Sequence, residues 1–334
     1  MPHHARSIAQ LGWNQGSVHV PAASRRGIRV TGVTVMGDAL IYRAEGGLPP
    51  GIYAEDGAGG ARMLLPDSSE NLHITPVVAG PLLAVHRART GRIPPLVEEI
   101  VFTFQGSEVL VVPGQCVGIS GDGRVALVAD VVGKTLHRVD LMHRHAAPVA
   151  DMVGGMLPHL APVMGLNRDG TQAVFMDARD ERCDGSLEWL DLRSGERKQL
   201  LPPLEAPGRV CAAFSPNGRQ LVVMEMRMAQ GPDFRLSVLD GDAPLRQVLQ
   251  LDLAQPLHAP AFVNEHVLAV PLALTAHEGT TYGALDLVAV DLRNGETRKL
   301  TQSGEVHGRV RVFDSAVMVE GGHGVISVPF ARPQ

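Results

Sequence analysis

Hydrophobic residues in this chain fall in short runs punctuated by Gly, Pro, Asn, Asp and Ser, the pattern of strands joined by tight turns. The run ending at Phe214, the turn Ser215-Pro216-Asn217-Gly218 and the second run from Leu221 read as a β-hairpin, with Pro presetting φ and Gly or Asn taking the left-handed position. Comparable turns are marked by Gly37, Gly80, Gly123, Gly170, Gly218, Asn264 and Asp314, spaced 43 to 50 residues apart. A fixed period of that size signals repeated supersecondary units, seven of them.

Each turn is followed by a second strand, for example 125–130, 173–177, 221–226 and 267–272. Alternating third strands then end in an aspartate: Leu136 to Asp140, Leu187 to Asp191, Leu236 to Asp240 and Leu285 to Asp291. Arg193-Ser194-Gly195-Glu196 and Arg293-Asn294-Gly295-Glu296 turn the chain into short fourth strands, 197–201 and 297–301. Four strands per unit predict an all-β fold: a single seven-bladed β-propeller of four-stranded antiparallel blades. The last unit has room for strands at 316–320 and 324–329 but for no fourth, and the strand-like segment Gln15 to Pro21 is otherwise unemployed. The expectation is a ring closed by this N-terminal strand, which removes an exposed sheet edge, with residues 1–14 as an extension and 15–334 as the propeller.

Composition narrows the function classes. Hydrophobic residues make up 45% and charged residues 19% of the chain, enough apolar material for a large core. The net charge of -5 with scattered Lys and Arg argues against nucleic acid as a partner. No apolar run of membrane-spanning length and no apolar core of a signal peptide is apparent, so a cytoplasmic, unprocessed protein with no membrane partner is expected. Cys116, Cys183 and Cys211 make no disulfide framework and no Cys-x-x-Cys pair. A Gly-x-Ser-x-Gly elbow, a Walker sequence and a dinucleotide fingerprint are all missing, which argues against serine-hydrolase and nucleotide chemistry.

Histidine placement carries the candidate chemistry. In a propeller the start of each innermost strand lies near the central channel, so residues there converge from distant parts of the sequence. His73, His159, His258 and His307 each precede or open such a strand, and Gln115 is an alternative to His159. Convergence of this kind is the ordinary geometry of a metal centre, although histidines at a channel mouth also serve by hydrogen bonding to loops or water. Loops between second and third strands are expected on the same face and offer Arg87, Arg179, His277, Glu278 and Tyr282 for binding an anionic substrate.

The run Phe214-Ser215-Pro216-Asn217-Gly218-Arg219-Gln220-Leu221, with Leu190-Asp191-Leu192-Arg193-Ser194-Gly195-Glu196-Arg197 before it, resembles the TolB-type propeller repeat. Such repeats also build the propellers of prolyl oligopeptidases and oligogalacturonate lyases. The latter hold a metal on the propeller axis with histidines and a glutamine, and carotenoid oxygenases hold iron there with four histidines. The resemblance thus implies one divalent ion (Mn, Fe or Zn) on His73, His258, His307 and either His159 or Gln115, in a lyase-like enzyme acting on a small anionic molecule. A non-catalytic propeller that binds a protein partner on its top face is the alternative.

Overall fold

The computed structural model describes residues 8–36, 38–44, 46–66, 72–79, 82–89, 97–104, 107–120, 123–130, 134–151, 165–178, 185–202, 208–227, 233–240, 246–251, 260–272, 286–301, 306–313, 315–321 and 324–331. Seven four-stranded antiparallel sheets follow one another along the chain. Blades 1 to 6 span 30–66, 72–113, 115–151, 165–201, 208–251 and 261–299. Blade 7 takes three strands from 306–329, and Ser17–His19 pairs with Val325–Pro329 as its fourth. The ring is therefore closed by the N-terminal strand, as the leftover segment at 15–21 indicated.

The hairpin turns explain why this sequence repeats. In blade 5 the Ser215 hydroxyl oxygen accepts the Gln220 N–H at 3.0 Å, the Gly218 N–H donates to the Ser215 carbonyl at 2.8 Å, and Gly218 has φ of 71°. Ser120 Oγ accepts the Val125 N–H in blade 3, and Asn167 Oδ1 accepts the Thr171 and Gln172 N–H groups in blade 4. A short oxygen-bearing side chain at the first turn position and a left-handed Gly at the fourth are what this loop requires. The aspartates ending the third strands do similar work. Asp191 Oδ1 accepts the Arg193 and Ser194 N–H groups, both at 2.8 Å, and these bonds hold its carboxyl below the usual carboxylate range. Asp291 is also lowered, first by the guanidinium of Arg293 at 2.6 Å. These repeated acids are turn formers committed to the anionic state, which removes them from the list of proton donors.

The core consists of seven apolar clusters, one per junction between neighbouring blades. Leu127 and Leu136 of blade 3 pack with Phe175 and Leu190 of blade 4, and Tyr42 and Tyr53 of blade 1 pack with Val325 of blade 7. On the third strands, Ile52, Ile100, Leu136, Leu187, Leu236 and Leu287 are each buried in the cluster shared with the following blade. They mark one common level around the ring. The N-terminal residues join this core, with Ile8 and Leu11 buried among blades 6 and 7 and Trp13 against Phe330 at 5.4 Å.

A polar exception lies between blades 5 and 6. Glu265, in the turn of blade 6, accepts the backbone N–H of Asn217 from the turn of blade 5, and burial pushes its carboxyl pKa up against the opposing charges of His266 and Arg219. A carboxyl whose pKa is raised by folding stabilises the fold below its unfolded pKa, and that contribution is lost as pH rises through the folded value. Glu265→Gln, which keeps an oxygen to accept the N–H, is expected to raise stability at pH 7. The gain should shrink as pH falls toward 4, read as urea midpoints of the two proteins across that range.

Candidate functional site

First strands of adjacent blades approach one another around the ring: blade 1 with 2, blade 3 with 4, then 4 with 5, 5 with 6 and 6 with 7. They therefore surround the axis. Because each blade is antiparallel, the first strands begin on the face from which the second-to-third connections emerge, here termed the upper face.

Two candidate histidines hold the same ordinal position in first strands of equal length. His73 is the second residue of the eight-residue first strand Leu72–Ala79, and His307 is the second residue of the eight-residue first strand Val306–Phe313. His73 stands opposite Ala88, two rungs above the common level set by the Ile100–His86 pair. His307 follows Val306, which stands opposite Gly321, in a stretch where the register of blade 7 shifts. Gln115 opens its strand opposite Ala129, which itself faces Leu136, so it lies at the common level, two rungs deeper than His73. Rungs are about 3.3 Å apart, which makes the offset about 7 Å. The side chains of His73, Gln115 and His307 lie outside the described residues, as do His159 and His258 entirely.

Of the proposed substrate-binding residues, Arg87 is not in a loop as expected but inside the second strand of blade 2, which runs on to Arg89, with Arg87 between Ile74 and Glu99. Arg179, His277, Glu278 and Tyr282 lie outside the described residues. Among the described residues no three His, Cys, Asp or Glu side chains are grouped as a metal site. No helix among them is long and apolar enough to cross a membrane.

Register exposes positions that a reading of the sequence overlooks. One rung above the common level, cross-strand partners are Arg87–Glu99, Asp130–Thr135, Asp177–Ser186, Glu225–Arg235 and Leu272–Asp286 in blades 2 to 6. In these five blades the strands thus turn polar at the same height, whereas the corresponding pair of blade 1 is Ala44–Gly51. Five carboxylates against two arginines bias this rung toward cations. Glu225 is buried, and buried Asp286 is held by Lys299 at 2.6 Å and Thr301 Oγ1 at 3.2 Å. In blade 5 Arg209 stands opposite Met226, at the same height as His73. The signal for this rung was partly available, because Asp130, Asp177 and Glu225 each directly follow an apolar run, but only strand pairing shows that they share a level.

No protein family's sequence profile matches the chain, and no curated protein matches it by sequence. Solved structures do. Over all of this chain and 97% of the other, it superposes on a chain of a mitotic checkpoint complex with a TM-score of 0.61 at 11% identity. A prolyl endopeptidase matches over 92% of this chain with a TM-score of 0.59 at 12% identity, and this chain spans half the length of that enzyme. The propeller of the trilobed protease from Pyrococcus furiosus matches over 90% of this chain and 94% of its own, with a TM-score of 0.55 at 12% identity. The likeness is one of fold. It bears out the expected β-propeller, a fold shared with the protease propellers among these structures, and carries no activity across.

Proposed function

We propose that this propeller is a metal-dependent enzyme of the lyase type whose site is the upper end of its axis. The observation that carries this reading is that His73 and His307 are each the second residue of an eight-residue first strand. Imidazole nitrogens suit first-row divalent ions such as Zn, Mn or Fe, and the acid-rich rung below favours a cation at this end. His73 and His307 would hold the ion, with His258 and either His159 or Gln115 completing the set. A bound divalent ion supplies Lewis acidity, polarising a carboxylate or carbonyl and easing loss of the neighbouring proton.

The remaining work falls to the chain's own cations. Arg87 and Arg209 stand at backbone positions near the upper end of blades 2 and 5, and Arg179 and His277 are further basic candidates from the sequence. Guanidinium groups pair with carboxylates in bidentate fashion, so a small anionic substrate is the class this end would accept.

Elemental analysis of tag-free protein should find one equivalent of a divalent metal. His73→Ala and His307→Ala should each weaken metal binding by at least the roughly 10- to 100-fold that loss of an outer-shell partner costs. Their thermal melting without metal should match that of the parent. Substoichiometric metal, with titrations unaltered in both variants, would leave the non-catalytic protein-binding propeller as the better reading.

A further inference from the structure

The strand that closes the ring is thin. Ser17, Val18 and His19 make three pairings with Ser327, Ile326 and Val325, and all three are exposed, Val18 by 53%. Three exposed rungs of an edge strand bury little apolar surface, so the closure must be held from its flanks.

One flank is apolar. Ile8 and Leu11 are buried, the Trp13 indole N–H donates to the Ile8 carbonyl at 3.1 Å, and Ala331 N–H donates to the Leu11 carbonyl at 2.9 Å. The other flank is polar and comes down to one side chain. After His19 the chain enters the short helix Ala22–Arg25, whose N-cap is Pro21 and which has no side-chain cap of its own. Its first N–H groups would be buried without acceptors. Glu55, the last residue of the third strand of blade 1, provides them: Oε1 accepts the Ala22 N–H at 2.6 Å and Oε2 accepts the Ala23 N–H at 3.3 Å. Tyr42 Oη donates to the same Oε2 at 3.2 Å and fixes the carboxylate from within blade 1. Both Glu55 and Ala23 are buried.

We propose that Glu55 is the catch of a two-point clasp: it fastens the closing segment to blade 1, and its release opens the junction of blades 7 and 1 while the rest of the ring stays folded. Three features concentrate the effect there. The helix has no side-chain cap of its own, the next residues Arg25, Arg26 and Gly27 are exposed with Gly27 at φ of 79°, and the cluster joining blades 7 and 1 includes Ala23 itself. Loss of the catch therefore unseats part of that cluster together with the strand. At the end of the strand next to the helix, a Cβ on Gly324 would meet the His19 carbonyl oxygen at 2.4 Å, so the closing segment passes hard against blade 7 there. This inference stands independently of any metal on the axis.

Hydrogen exchange by mass spectrometry on the full chain tests it, with the parent, Glu55→Ala, Glu55→Gln and Tyr42→Phe compared. In Glu55→Ala, exchange across 17–28 and 325–329 should speed by roughly tenfold or more, while 172–178 and 220–227 keep parental rates. Glu55→Gln retains one acceptor oxygen and should fall between the two, and it supplies the readout if the alanine variant does not fold. Tyr42→Phe leaves both helix N–H groups bonded and should give a smaller rise confined to the same segments. Unchanged exchange at 17–28 in both Glu55 variants, or an equal rise in all blades, overturns the proposal.

Discussion

Gly114→Ala is expected to destabilise the ring by roughly 3 kcal/mol or more, the range of a substitution that combines overpacking with backbone strain. Gly114 links blades 2 and 3 at φ of 112°, and an added Cβ would lie 2.2 Å from the Ala129 carbonyl oxygen and 2.8 Å from its carbon. Both are backbone atoms of a paired central strand, between Gln115 and Leu136, so they cannot rotate away. Gly218→Ala is the internal control. It has φ of 71° but nothing within 4 Å of the added carbon, so it should show only the cost of a left-handed alanine, about 1 kcal/mol. Urea unfolding of the two variants beside the parent measures the gap. Equal losses would show that the link between blades 2 and 3 is not as tight as described.

Phe175→Ala should have the other large effect, about 3 to 5 kcal/mol, the usual cost of emptying a fully buried aromatic site. The ring is wholly buried between blades 3 and 4 among Leu127, Leu136 and Leu190. It also lies under the Arg197 guanidinium at 5.1 Å, and that guanidinium donates to the Asp151 carbonyl of blade 3 at 2.9 Å. One substitution therefore removes packing and loosens a strap between the same two blades. Phe175→Leu, which leaves a smaller void, should lose much less. The check is the midpoint of thermal or urea unfolding for both variants.

How far the chain could be read in advance follows from what is local and what is not. The turn at Ser215 to Gly218 and the aspartates at 140, 191 and 291 satisfy their own backbone within a few residues, so their pattern survives in sequence. The expected strands 125–130, 197–201 and 267–272 are found with those limits. Closure by the N-terminal segment was legible because one blade lacked a strand and one strand lacked a blade.

Height along the axis was not legible. Counting back from the turn glycine treats all turns alike, yet only two residues separate strand residues Ala79 and Leu82, whereas Gly218 is the fourth of five residues between Phe214 and Gln220. Such counting puts Cys211 in phase with His73, but pairing sets Cys211 opposite Met224, at the common level, and His73 two rungs above it. Arg209, not Cys211, shares the height of His73. The polar rung and the Glu55 catch were hidden for the same reason, since both depend on which residues stand opposite or across a blade junction rather than on any local motif.

The central claim, that the axis carries a metal site, is most directly tested by anomalous diffraction from crystals of tag-free protein at the absorption edge of the metal it retains. The expected result is one peak at the upper end of the axis, about 2.0 to 2.2 Å from imidazole nitrogens of both His73 and His307. A contradicting result is an axis with no anomalous peak, in which those imidazoles bond only to neighbouring loops or water.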